Sequence, residues 1–304
     1  MTTTTYPARS KRGFNPYRFK QFLGRLFVHT TLTIIGIVCL IPMVLVISVS
    51  LSDEIQLAKE GYKLFPVGFT TFAYEYILQQ PQQILQAYSV TIMVTATGTG
   101  LGLLISSLLA YALSRRDFKY RNILSFYVFF TLLFNGGLVP FYILVTQYLH
   151  LKDTIWVLIL PYLVTAWYVL ILRTSFAQLP VELLDAARID GAGEWRVFFQ
   201  IVVPLSKPVL ATIGLFYVLR YWNDWFLALL FVNKANLYPL QYLLYILMAN
   251  INFLASNPET TGISIPIQST RMALAVLAFG PALLSFLLVQ KYFVRGITIG
   301  GLKG

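Results

Sequence analysis

The chain has 304 residues, 57% of them hydrophobic and only 12% charged, with 23 Lys and Arg against 12 Asp and Glu for a formal charge of +11. A mean hydropathy of +0.69 excludes disorder and a coiled coil and argues against a water-soluble globule, leaving a chain whose solvent is lipid. One cysteine, Cys39, excludes an intramolecular disulfide framework, and two distant histidines support neither a metal nor a triad site.

In chain order, residues 1–25 form a polar, Arg-rich arm that suits anionic lipid on the cytoplasmic side. A membrane span needs about 20 mostly apolar residues. Six runs qualify: 26–51, 87–113, 123–147, 155–172, 208–232 and 272–289. All are predicted as helices, because backbone exposed to lipid must satisfy its own hydrogen bonds. The expected fold is therefore all-α and polytopic: a cytoplasmic arm (1–25), a six-helix transmembrane domain (26–290) and a cytoplasmic tail (291–304). The first run is too long for a signal-peptide core and no A-x-A site follows it, so it reads as an uncleaved anchor holding Cys39 as a small buried hydrophobe. Residues 69–85 suit a short interfacial helix, and 52–86 and 233–271 read as outer loops.

Charge orients these spans. The segments expected inside hold 17 Lys and Arg with five acids, those outside hold five with six, and Arg220 and Asp224 lie within the fifth run. The alternation holds at every crossing and places both termini in the cytoplasm. The basic excess is thus a topological signal, and a nucleic-acid surface loses its support.

Within the second run, Gly98-x-Gly100-x-Gly102 lacks a preceding strand and a following Lys, and reads as packing material. In the third run, Asn135-Gly136-Gly137 with Pro140 interrupts the helix; a hinge or path-lining break and a close helix contact both fit. Between the fourth and fifth runs lies LPVELLDAARIDGAGEWRVFFQIVVPLSKP, residues 179–208. Pro180 starts a helix with Glu182 and Asp185 in its first turns. Asp190-Gly191 signals a turn, and a second helix is expected over 194–202, ended by Pro204. Small residues at Ala186, Ala187, Gly191, Ala192 and Gly193 permit close approach by another backbone. An amphipathic linker on lipid headgroups and a docking element both remain open.

In the fifth run, Arg220 and Asp224 stand at i, i+4 on one predicted helix face, within pairing reach. Charges at membrane depth face the protein interior or a water-filled cavity. They could line a solute path or lock span five as a buried ion pair. Tyr217, Tyr221, Trp222 and Trp225 surround them. Their rings could stack on a sugar, with Asn223 as a hydrogen-bond partner, or form an interfacial aromatic belt.

Asp185-Ala186-Ala187, three residues, Gly191, nine residues, then Ile201-Val202-Val203-Pro204 resembles the E-A-A-x-x-x-G-x9-I-x-L-P loop of permease subunits of binding-protein-dependent ABC importers. Asp185 replaces the Glu, and Val203 the Leu. Trp222-Asn223-Asp224 and the end from Gln290 to Gly304 are similar to the carbohydrate-uptake branch, as in the second permease of maltose-type importers. Phe134–Pro140 is similar to permeases for longer oligosaccharides. The resemblance covers roughly residues 26–304. It implies a non-enzymatic transport subunit in a bacterial inner membrane, moving a carbohydrate and, by the Phe134–Pro140 likeness, an oligosaccharide. No G-x-x-x-x-G-K-[ST] occurs, so this chain carries no such ATP site, and ATP and Mg would sit on two partner ATPase subunits. Further implied partners are a second permease, a binding protein docked in part by loop 233–271, and lipid. The loop 179–208 would be the coupling helix, through Glu182, Asp185–Ala187, Asp190–Ala192, Ile201 and Pro204. Lys303 and Gly304 could touch the ATPases. Rival readings are an ion-coupled carrier using Arg220 and Asp224, a permease for a non-sugar solute, and an intramembrane enzyme, which lacks a convergent catalytic set.

Overall fold

A computed structural model describes residues 16–79, 81–256 and 266–281, with residue 283. The arm before residue 16 and the tail with Lys303 and Gly304 lie outside them. Among the described residues the chain is helical, with no strand longer than an isolated bridge between Ser52 and Phe69.

The first helix, α1 (Pro16–Ser50), exposes every side chain from 24 to 42. Cys39 is therefore exposed, contrary to the buried position expected of it, because no other described element packs on that stretch. Two short helices follow, α2 (Glu54–Glu60) and α3 (Phe72–Ile77). Asp53 caps α2, its carboxylate accepting from the Ile55 and Gln56 amides.

The structural centre is α4 (Pro81–Ser114), which packs along α7 (Ala166–Phe176) and α11 (Lys207–Trp222). Leu113, Val169, Leu172, Ile213 and Tyr217 are fully buried between them. Two of the α4 glycines account for this closeness. A Cβ on Gly98 would stand 2.5 Å from the Tyr221 ring, and one on Gly102 would stand 2.9 Å from that of Tyr217. Gly100 faces open space. The packing role expected of the motif thus falls to two of its three residues.

The other apolar runs are broken. The third is α5 (Arg121–Leu133) and α6 (Leu138–Ile143, extended by one wide turn to Tyr148), bent by 114°. The fourth is two tight turns over Ile155–Tyr162 joined at 47° to α7. The fifth stops at Trp222 and resumes as α12 (Phe226–Phe231).

The loop 179–208 holds α8 (Val181–Ile189), then α9 (Glu194–Val197), which runs through a wide turn over Phe198–Val202 into α10 (Val203–Leu205). Pro204 sits inside this helix and does not end it, contrary to expectation. Widened i→i+5 turns tolerate a missing donor. The helix instead ends beside Ser206, where the chain bends 86° into α11.

A larger correction concerns 233–271, expected as a loop. It contains α13 (Leu240–Ser256), whose Leu240 and Leu243 are buried against Trp222 and against Ile84 and Ala87. At 17 residues it lies at the short end of what a span requires. The last described helix, α14, covers residues 267–281, so the sixth run is described only in part. By length and composition α1 and α4 can each cross a membrane, and the three bent pairs can do so as units.

Candidate functional site

Helix breaks leave backbone groups unpaired, and at membrane depth these must find protein or water. Here the breaks converge. Gly137 takes φ +89°, which favours glycine, and its N–H donates to Asn135 Oδ1 at 2.8 Å. In the fourth run, the Ile159 carbonyl accepts from the Tyr221 hydroxyl and the Leu163 carbonyl from the Tyr217 hydroxyl, both at 2.9 Å. In the fifth, Asp224 Oδ2 accepts from the Leu227 amide at 3.3 Å and so starts α12.

Between the breaks of the third, fourth and fifth runs lies a cavity of about 710 Å³. Asn135, Gly137 and Pro140 line one side, Pro161 and Tyr162 another, and Arg220, Phe226 and Leu227 the third. Arg220 and Asp224, for which a path-lining role and a buried ion pair were both open, make no ion pair with each other. Helical spacing fails because α11 ends at Trp222, leaving Asp224 beyond the helix. Tyr162 mediates between the two: its hydroxyl donates to Asp224 Oδ1 at 2.8 Å, while the Arg220 guanidinium sits 4.1 Å from its ring centroid.

The aromatic residues divide. Tyr217, Tyr221 and Trp222 are buried, with their polar atoms engaged by Leu163, Ile159 and Ala278 carbonyls. They hold the broken segment and present no open face. Trp225 is partly exposed and stacks on Tyr245 at 4.8 Å. Asn223 donates to the Leu219 carbonyl at 2.8 Å, capping α11. Of the expected path residues, Asn135 and Arg220 meet in the cavity. Tyr162 was not anticipated, since residues 155–172 read as one uninterrupted span.

The loop 179–208 forms a second constellation. Gly191 has φ +78°, a conformation side-chain-bearing residues rarely adopt, and it turns the chain between α8 and α9. Glu182, Asp185, Ala186, Asp190, Gly191 and Pro204 are exposed, while Ala187, Ala192 and Ile201 are half-buried. Leu184, Val197, Phe198 and Val202 anchor the loop in the core. Outward stand Ile189 at 87% exposure and Trp195 at 67%, the latter stacked on Phe199.

Arg188 holds the loop's shape. Its guanidinium pairs with Glu194 and, at 3.0 Å, with Asp117 in the loop after α4. Arg115 joins Asp117 at 3.1 Å, and the Tyr111 hydroxyl donates to Glu194 Oε2 at 2.5 Å. Hydrogen bonds from Arg115 and then Arg188 outweigh burial and hold the Asp117 carboxyl down at about 2. Burial pushes Glu194 up, but Tyr111 and Arg188 bring it below its ordinary value. Asp117 went unremarked in the sequence, although it is the only acid among Arg115, Arg116, Lys119 and Arg121.

Comparison with known proteins is consistent across most of the chain. Residues 98–299 match the family described as binding-protein-dependent transport system inner membrane component. Protein LplC of Bacillus subtilis (strain 168) is 39% identical over 271 residues, covering 89% of this chain and 91% of that one. The polygalacturonan/rhamnogalacturonan transport system permease protein YtcP of the same organism is 37% identical over 287 residues, covering 94% and 100%. Among solved structures, that of a bacterial ABC transporter involved in the import of the acidic polysaccharide alginate matches with a TM-score of 0.77 and 26% identity, over 95% of this chain and 100% of that one.

Proposed function

The chain belongs to the family of binding-protein-dependent transport system inner membrane components, and from that premise we propose that it is the permease subunit of an ATP-driven importer that brings an oligosaccharide into the cytoplasm. The observation that carries this reading is likeness to sugar-transport permeases over nearly the full length of both partners. Two geometric features agree with it. The cavity between the broken runs brings Asn135 and Arg220 together in a mainly apolar lining, and helix breaks within membrane spans persist only if they face protein or water. The cytoplasmic loop exposes Ile189, Trp195, Asp185 and Asp190 on a rigid turn, as a docking element requires.

In this reading six spans cross the membrane with both termini inside. Two ATPase subunits carry ATP and Mg and seat the loop 179–208. A second permease completes the path, and an external binding protein delivers the sugar. Closure of the ATPases moves α8 to α10 as one body, because Arg188, Asp117 and Glu194 clasp them to α4.

The test uses the assembled importer in proteoliposomes with its binding protein. Gly191→Pro should abolish sugar-dependent ATP hydrolysis and release the ATPases on purification, while membrane insertion persists. Sugar uptake that continues without any ATPase would refute the reading and favour an ion-coupled carrier.

A further inference from the structure

We propose that the cavity between the helix breaks is a subsite for an acidic saccharide, with Arg220 as the group that binds a uronate carboxylate. The inference rests on the importer reading above and deepens it by naming the substrate class.

Among the described residues Arg220 is the only charged one lining the 710 Å³ cavity. It is exposed, and it makes no ion pair among the described residues. The nearest candidate partner in sequence is otherwise engaged. Asp224 accepts from the Tyr162 hydroxyl and from the Leu227 amide, and does not line the cavity. The guanidinium is nevertheless held in place, 4.1 Å from the centroid of the Tyr162 ring. The guanidinium carries five N–H donors, more than the Tyr162 hydroxyl can engage, and two of them in parallel receive a carboxylate. A ring face supplies attraction without neutralising the charge, as a carboxylate would. Across the cavity Asn135 spends its carbonyl oxygen on Gly137, so its amide NH2 remains a donor. A cation and an amide donor facing one cavity fit a carboxylate flanked by hydroxyls better than they fit a neutral sugar or a cation. The volume lies within the range of small-molecule sites.

The experiment compares uptake of trigalacturonate and trimannuronate with uptake of the same trisaccharides reduced at their carboxyl groups. Proteoliposomes carry the complete importer and one preparation of binding protein, so only the permease differs between variants. Arg220→Gln should lower the ratio of acidic to carboxyl-reduced uptake about tenfold or more. Arg220→Lys, which keeps the charge but loses the fork, should lower it less. Co-purification of all subunits checks assembly. If Arg220→Gln assembles and leaves the ratio unchanged, or if wild type moves the reduced sugars and not the acidic ones, the subsite is wrong while the sugar importer stands. A wild type that moves none of the four sugars overturns both.

Discussion

The cavity between the helix breaks and the clasp on the loop 179–208 use the same three side-chain types in opposite ways. In each, a tyrosine hydroxyl donates to a carboxylate: Tyr162 to Asp224, and Tyr111 to Glu194. In each, an arginine stands beside that pair. At the clasp Arg188 goes to the carboxylate itself, and to Asp117 as well, so the charges cancel into a fixed shape. At the cavity Arg220 goes to the tyrosine ring, and its charge is left over. The contrast separates a charge used to hold structure from one available to a ligand. Proximity in sequence does not distinguish them: Arg188 and Glu194 are six residues apart, Arg220 and Asp224 only four.

The largest expected effect falls on what holds the cavity open. Gly98→Leu would drive a side chain into the Tyr221 ring and pull its hydroxyl from the Ile159 carbonyl. Overpacking of this kind costs about 1–3 kcal/mol or more. The yield of assembled complex and its thermal midpoint should fall, whereas Gly100→Ala, which meets nothing within 4 Å, should leave both near wild type. Equal effects at the two positions would break the assignment.

Arg188→Ala comes next. It frees two carboxylates of the clasp, and, discounted for solvent exposure, should cost about 1–2 kcal/mol locally. The readouts are faster proteolysis within 179–206 and a fall of about tenfold in ATP-coupled uptake. Tyr162 then tests the cavity from both sides. Tyr162→Phe keeps the ring under Arg220 and removes the donor to Asp224, a loss of about 1–3 kcal/mol in stability. Tyr162→Leu removes both and should in addition raise the half-saturating sugar concentration. If the two variants transport alike, the ring does not position Arg220.

Tyr111→Phe is the smallest substitution, about 0.5–1.5 kcal/mol, because Glu194 keeps Arg188. Acid should sharpen the same point. Asp117 is held at about 2, below its ordinary 3.8. A depressed carboxyl stabilises fully above its unfolded value and loses that contribution as pH falls through the folded one. Protection of the loop from proteolysis should therefore stay flat from pH 8 to about 5 and decline only toward about 2. An acid-stable protease can read it; a decline centred near pH 6 would show that other groups hold the loop.

Much of this was legible beforehand. The membrane class follows from composition, and the turn at Gly191 from a residue type whose conformational range is known. The stop near Asn135-Gly136-Gly137 follows from the same local chemistry. Less legible were the breaks in the fourth and fifth runs. Hydropathy counts apolar residues and does not register whether a helix is continuous, so residues 155–172 and 208–232 read as unbroken. The Arg220–Asp224 pair failed for that reason: i, i+4 spacing means adjacency only on an intact helix. Helix α13 was hidden by length, and by a charge pattern that alternates without it.

The sequence by itself determined the solvent of this chain, the segments in which its charges gather, and the loop that resembles a coupling element. Those properties are sums over residues or local turn chemistry. Tertiary structure alone decided which tyrosines are buried, which breaks converge and which arginine keeps its charge. Each depends on residues 62 to 83 positions apart meeting across helices: Tyr162 with Asp224, Tyr221 with Ile159, Tyr111 with Glu194. No periodicity in one strand of sequence carries that information, because the distance between helices is set by packing at the glycines between them.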